Sequence, residues 1–156
     1  MCFSSSALAA PSGQGGPPQS LKECRQFLHS VDAALVWENK RYAKAYAKLA
    51  TRRDGLQKRA KTLTAVQSDL KTRMDALQAA IEDQANPLSQ EDADRMVAEY
   101  NSLFPTYDKN SRVLQGIHDT LDGLKFDFSE LKKTHRSNVA STVKYRKQVA
   151  TYCRRF

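Results

Sequence analysis

The sequence is poor in the residues that form turns or build chemical sites. Between Ser20 and Phe156 it contains only three glycines and two prolines, so few turns are expected. It has no glycine-rich phosphate loop, no GxSxG and no HExxH motif, and its three histidines lack partners at metal-ligand spacing. These absences predict a protein that is not an enzyme, with no catalytic residue, no cofactor and no metal.

Long apolar runs and paired cysteine motifs are missing as well. No run of eighteen apolar residues occurs, which predicts that no helix crosses a membrane. The three cysteines, Cys2, Cys24 and Cys153, are odd in number and show no CxxC spacing. That pattern argues against a secreted disulfide scaffold and against a structural zinc site. We therefore expect a cytoplasmic, reducing location with free thiols.

Leucine organises the first half of the chain. It recurs on one seven-residue phase, and Tyr42 fills the only gap. The register consists of Leu28, Leu35, Leu49, Leu56, Leu63, Leu70 and Leu77. Such a repeat predicts a long helix with one apolar stripe that packs on another helix. The residues three and four positions after each leucine are mixed in character, so the second row of the stripe stays open.

Local signals predict where this first helix begins and ends. Residues 1–20 are rich in Ser, Gly, Pro and Gln, which predicts a disordered tail. Ser20 is a candidate N-cap for a helix over about 21–84. Asn86-Pro87 then breaks the helix, because the residue before a proline disfavours the helical conformation.

The second half of the chain carries a heptad repeat of its own. After a turn at about 85–89, Ser89 is a candidate N-cap for a helix over about 90–155. Apolar or aromatic residues recur there in alternating steps of four and three. The main positions are Met96, Tyr100, Leu103, Tyr107, Leu114, Ile117, Leu121, Leu124, Phe128, Leu131, Tyr145, Val149, Tyr152 and Phe156.

A short connection between two long helices makes them antiparallel neighbours. The sequence therefore predicts an all-α fold in which residues 21–156 form an antiparallel coiled-coil hairpin. Pro105 removes one backbone hydrogen bond, so a kink or a short break is expected near it. The residues expected in the helix–helix interface are Leu49, Leu56, Leu63, Leu70, Leu121, Leu124, Phe128 and Leu131.

Two features complicate this simple pairing. Apolar residues that fall off both stripes include Trp37, Phe104, Val113, Phe126, Val139 and Val143, which predicts completion by oligomerisation or by partner helices; scattered surface residues are the alternative. In addition, the second stripe is interrupted by His135, Asn138 and Thr142. These polar residues either fix the register of the helices or mark the place where the pairing ends.

The net charge of +8 is concentrated in one region. Residues 132–156 contain eight bases and no acid, whereas the rest of the chain contains seventeen of each. The candidate binding residues are Lys144, Arg146, Lys147, Arg154 and Arg155. An acidic protein, anionic lipid or a phosphate backbone would suit them; the alternative is a solvated helix end. The basic stretch 40–61 is also expected to face the acids of residues 112–133.

Taken together, these patterns predict a non-enzymatic coiled-coil scaffold or adaptor subunit of an intracellular multi-protein assembly. Its partners would be coiled-coil proteins or further copies of itself, with no small-molecule substrate. Two alternatives depend on the basic end. One is a BAR-like hairpin that binds anionic membrane surfaces, and the other is a nucleic-acid- or ribosome-associated rod.

Overall fold

The computed structural model describes residues 17–156 and contains two long helices in that range. Helix α1 spans Leu21–Glu82, with 62 residues, and helix α2 spans Gln90–Cys153, with 64 residues. The described part of the chain has no strand. The two helices pack against each other, so the predicted all-α class is confirmed and the arrangement fits a helical hairpin. Most of the predicted tail, residues 1–16, lies outside the described residues.

Each helix is capped at its N-terminus by the serine that the sequence indicates. The Ser20 hydroxyl accepts a hydrogen bond from the backbone N–H of Glu23 at 3.2 Å, and the Ser89 hydroxyl accepts one from Asp92 at 3.2 Å. Each bond satisfies a backbone donor that has no partner inside the helix. The Glu23 carboxylate accepts a further bond from the N–H of Gln19 at 2.6 Å. Local chemistry therefore sets both starting points.

Helix α1 ends at Glu82, two residues before the predicted end, because the next side chain captures the backbone. The Asp83 carboxylate accepts hydrogen bonds from the N–H groups of Ala85 and Asn86 at 2.9 and 3.3 Å. Bonds from the Asn86 side chain and from these N–H groups lower the pKa of Asp83. Such local bonds compete with the helical pattern, so the helix stops before Asn86-Pro87.

Helix α2 runs through Pro105 without interruption. The expected break near this residue is therefore wrong, while a bend of the helix axis stays a prediction. The proline ring lacks the N–H that would bond one turn back. The neighbouring turns of α2 keep their helical form around that single missing bond.

The helices contribute to two compact units. The first unit takes the chain up to Leu49 together with Phe126–Phe156. In it, aromatic rings of α1 meet rings of α2: Phe27 lies 5.9 Å from Tyr145, Tyr42 4.1 Å from His135, and Tyr46 5.0 Å from Phe128, measured between centroids. The residue number of the α2 partner falls as that of the α1 residue rises.

The second unit consists of Ala50–Lys125. Here the Gln67 amide donates to the carbonyl of Tyr107 at 3.1 Å and to the hydroxyl of Ser111. Arg73 forms an ion pair with Glu99. The buried apolar residues of this unit are Ala60, Met74, Ile117 and Leu124.

The burial of side chains shows which residues of α1 face inward beside the leucine register. In the first unit, the residues three positions after the register face inward: Val31 and Glu38 are buried and Ala45 is half-buried. In the second unit, the residues four positions after it do so instead: Ala60 and Met74 are buried and Gln67 is half-buried. The leucine register therefore runs through both units. The second row of inward residues lies three positions after it in the first unit and four positions after it in the second.

The helix cap of α2 provides a test of this local account. Ser89→Ala removes the oxygen that accepts the N–H of Asp92 and should lower the free energy of unfolding by about 1 kcal/mol. Ser102→Ala is the matched control, because Ser102 is exposed and bonds a carbonyl inside α2. Urea unfolding followed by circular dichroism measures both. Equal effects of the two substitutions would contradict a capping role for Ser89.

Candidate functional site

A buried carboxylate forms the most unusual feature of the first unit. Glu38 is 1% exposed, although its neighbours in the row are apolar. Its Oε1 accepts hydrogen bonds from Asn138 Nδ2 at 3.0 Å and from Arg41 Nη2 at 3.1 Å. His135 Nδ1 lies 3.5 Å from the same oxygen, and the His135 ring stacks on Tyr42. We call these five residues the Glu38 layer.

The charge of Glu38 is retained inside the layer. Burial raises the pKa of the Glu38 carboxyl, but hydrogen bonds from Arg41 and Asn138 oppose it and hold that pKa below its usual range. Oε2 lies 3.0 Å from Arg41 Nη2 without the angle of a hydrogen bond, so the contact is an ion pair only. A buried ion that loses its partner is strongly unfavourable, and the layer therefore requires both helices in one register.

The layer explains the polar interruption of the second stripe. Asn138 donates to Glu38, His135 stacks on an α1 ring, and the Thr142 hydroxyl donates to the carbonyl of Asn138 at 2.8 Å. The helices contact each other on both sides of the layer, through Phe27 and Tyr145 on one side and Tyr46 and Phe128 on the other. The possibility that the pairing ends at these residues is therefore wrong, and a role in fixing the register is favoured.

A second ionic contact joins the helices nearer their ends. Arg146 Nε and Nη2 donate to the two Asp32 carboxylate oxygens at 2.6 and 3.2 Å. The hydrogen bonds from Arg146 are the largest cause of the lowered pKa of Asp32. Burial acts in the opposite direction, and the charge of Arg146 lowers that pKa further. Two parallel bonds of this kind fix geometry as well as charge. Arg146, predicted as a binding residue of the basic end, is therefore engaged within the chain.

The largest correction concerns the cysteines. Cys24 and Cys153 form a disulfide that joins α1 to α2, with Cα atoms 5.8 Å apart and 129 positions between them in sequence. The expectation of free thiols is wrong for this pair. Disulfides persist in oxidising compartments, so the bond weighs against a reducing one; Cys2 lies outside the described residues.

The predicted interface residues occupy the inner side of both helices. Leu124 is 2% exposed. The other predicted positions are half-buried: Leu49, Leu56, Leu63, Leu70, Leu121, Phe128 and Leu131. Phe128 meets the Tyr46 ring across the helix pair. The register therefore turns inward along both units, yet most of its side chains keep part of their surface exposed.

The predicted basic residues are mostly at the surface. Lys144, Lys147, Arg154 and Arg155 are exposed, and the Arg155 guanidinium lies 5.4 Å from the centre of the Tyr152 ring. In the first unit, fourteen Lys and Arg residues stand against five Asp and Glu residues, whereas the second unit has eleven against twelve. The excess positive charge thus belongs wholly to the first unit.

The ion pairs of stretches 40–61 and 112–133 lie within single helices. The expectation that the bases of the first stretch pair with the acids of the second is not met. Asp122 pairs with Lys125, and Glu130 with Lys133, all on α2. Arg53 likewise pairs with Asp54 on α1. Side chains three or four residues apart on one helix are close neighbours, so these acids find their partners within the turn rather than across the pair.

These features define an all-α protein of two packed helices that carries a buried ionic layer and an interhelical disulfide. No helix in the range 17–156 is both long and apolar enough to cross a membrane. Within the same range, no group of three or more side chains is arranged to hold a metal ion.

Comparison with known proteins adds no relative. No protein-family model matches the chain, and neither a curated protein nor a solved structure shows significant similarity to it.

Glu38→Gln tests the buried layer. At neutral pH it should lower the free energy of unfolding by about 1–3 kcal/mol, because Arg41 loses its charged partner. The lowered pKa of Glu38 means that its stabilisation is present above the unfolded-state pKa and is lost as the pH falls through the folded-state pKa. The variant should therefore show a flatter loss of stability in acid, below about pH 4.5.

Urea unfolding across the acid range measures this difference. Asp127→Asn is the matched control, since Asp127 is an exposed acid of the same unit. A variant Glu38→Gln as stable as the parent chain at every pH would contradict a charged, buried Glu38.

The disulfide yields a separate prediction. Reduction, or Cys153→Ser, should lower the free energy of unfolding by about 2–4 kcal/mol, because the bond closes a long loop in the unfolded chain. Cys2→Ser is the control and should change little. Alkylation of the non-reduced chain followed by mass spectrometry counts the free thiols. Labelling of both Cys24 and Cys153 under those conditions would disprove the bond.

Proposed function

We propose that the chain is a non-enzymatic scaffold or adaptor subunit of an intracellular multi-protein assembly. In this proposal it forms an antiparallel coiled-coil hairpin, and partner helices or further copies of the chain complete it. The observation that supports the proposal most is the distribution of apolar side chains. Seven apolar residues are buried among those described, whereas eleven large apolar residues are exposed.

The second unit shows why further helices would be favourable. Val66, Ile81, Val97 and Phe104 are between 36% and 52% exposed, while the register residues beside them are only half-buried. Two helices can shield one stripe each, and apolar surface left outside that stripe gains from a third helix. Large exposed apolar surface is also typical of protein–protein interaction sites.

In the proposed mechanism, the fixed register of the two helices positions the apolar side chains that partners bind. Buried ionic contacts are well attested as devices that fix the register of helices, and the Glu38 layer supplies such a contact in the first unit. The partly exposed Asp32–Arg146 pair adds two parallel hydrogen bonds between the same helices. A fixed register would present the same apolar side chains in the same places to every partner. The disulfide suits such a role in an oxidising compartment, where it would persist.

The test adds charge where partner helices would pack. The double variant Val66→Glu, Phe104→Glu should weaken assembly on the order of 100-fold or more, because an unpaired charge in an apolar interface is strongly unfavourable. Both side chains are exposed in the free chain, so helical content should not change. Gln57→Glu, Asn101→Glu is the control, with equal added charge at exposed polar positions of the same unit.

Assembly is measured by cross-linking in native cells followed by gradient sedimentation and mass spectrometry. The proposal expects the parent chain and the control variant in a larger complex and the apolar-to-charged variant as a free chain. Equal sedimentation of both variants, or a parent chain that sediments alone, would overturn it.

A further inference from the structure

The outward face of α1 in the first unit carries an apolar patch. Trp37 is the only tryptophan of the chain, and it is 56% exposed, while the adjacent Val36 is 53% exposed. Ala33, one turn earlier, is exposed too. A tryptophan gains from burial of its large ring, yet more than half of Trp37 is exposed. The patch is confined to one turn of the helix.

The part of α1 that follows this patch is rich in exposed bases. From Ala33 to Leu49 the sequence has a single acid, Glu38, which is buried and paired with Arg41. The exposed bases of this stretch are Lys40, Arg41, Lys44 and Lys48, and the Arg41 guanidinium lies 5.4 Å from the centre of the Trp37 ring. The three lysines form no ion pair within residues 17–156. We call Val36, Trp37, Lys40, Lys44 and Lys48 the Trp37 face.

A partner helix does not suit this face. Helix docking uses apolar anchors at i, i+3, i+4 and i+7. Around Trp37, the position three residues on is Lys40, four on is Arg41 and seven on is Lys44. The apolar stripe thus ends within one turn, and the rest of the face would desolvate charges against an apolar partner.

Single-stranded nucleic acid is also a poor fit. Its binding surfaces stack successive bases on several aromatic rings. The next exposed aromatic residue of α1 is Tyr46, whose ring lies against Phe128 and Tyr42. Within residues 17–156, no ring pair includes Trp37, so no stack continues from it.

We propose that the Trp37 face binds the surface of an anionic phospholipid bilayer. A tryptophan ring prefers the boundary between headgroups and acyl chains, where its apolar body is buried and its N–H is hydrated. The lysines that follow Trp37 along the helix keep their charges among the phosphates while their alkyl stems lie on apolar surface. A convex helix face needs no groove for such contact. The net positive charge of the first unit attracts the same surface.

This binding goes beyond the proposed scaffold role and uses different residues. The apolar residues tested for assembly, Val66 and Phe104, lie in the second unit, whereas the Trp37 face lies in the first. Loss of assembly with intact vesicle binding, or the reverse, therefore tells which proposal has failed.

The single tryptophan makes the test direct. The full, disulfide-bonded chain is mixed at low salt with phosphatidylcholine vesicles that contain about one third phosphatidylserine. Emission of Trp37 should shift to shorter wavelength, and the chain should sediment with the vesicles. Vesicles of phosphatidylcholine alone should give neither effect, and rising salt should release the chain.

Substitutions test whether vesicle binding depends on the Trp37 face. Lys40→Gln, Lys44→Gln, Lys48→Gln should weaken vesicle binding about 100-fold, because each lysine near an anionic bilayer contributes about a factor of five. The control Lys58→Gln, Lys61→Gln, Lys109→Gln removes the same charge from exposed positions of the second unit and should weaken binding less than about threefold. Trp37→Ala should weaken it about tenfold, measured by co-sedimentation.

Three results would overturn the proposal. One is the absence of vesicle binding at low salt. Another is vesicle binding that both triple variants reduce equally, which would mean a response to net charge alone. The third is a change of Trp37 emission with an oligothymidine strand but not with vesicles, which would assign the face to nucleic acid.

Discussion

A pair of helices can shield only one stripe of each, and this constraint governs the rest of the structure. The leucine register turns inward in both units, yet most of its members remain half-buried. Apolar residues outside the stripe, such as Phe104 and Phe126, are more than half exposed. A core this thin gains little from apolar burial alone, so specific contacts between the helices carry more weight. The exposed apolar surface is then available for other helices.

Two kinds of specific contact supplement that thin core in the first unit. The Glu38 layer places a charge where an apolar residue would pack, and it satisfies that charge from both helices. Such a layer need not add stability, but it penalises every other register because a shifted pairing would take the Asn138 hydrogen bond away from the buried carboxylate. The Cys24–Cys153 disulfide acts differently, since it limits the freedom of the unfolded chain. The Glu38 layer thus selects the register of the helices, whereas the disulfide destabilises the unfolded chain.

The sequence predicts what depends on neighbouring residues. Ser20 and Ser89 cap the helices because the bonds that they form are local. Helix α1 ends two residues before the predicted end because Asp83 competes for the backbone before the proline is reached. The burial of Glu38 depends on Asn138, 100 positions away, and no local pattern reveals it. The disulfide joins residues 129 positions apart, and an odd number of cysteines without CxxC spacing favours free thiols, so the sequence does not predict the bond.

The two helices leave large apolar residues exposed, and we propose that other helices cover them. Sedimentation equilibrium of the purified, disulfide-bonded chain over a wide range of concentrations tests it most directly, together with helical content on the same samples. The account predicts association that grows with concentration, or loss of helical structure on dilution, because the uncovered stripe is unfavourable in water. A chain that remains a stable, fully helical monomer at every concentration would contradict it.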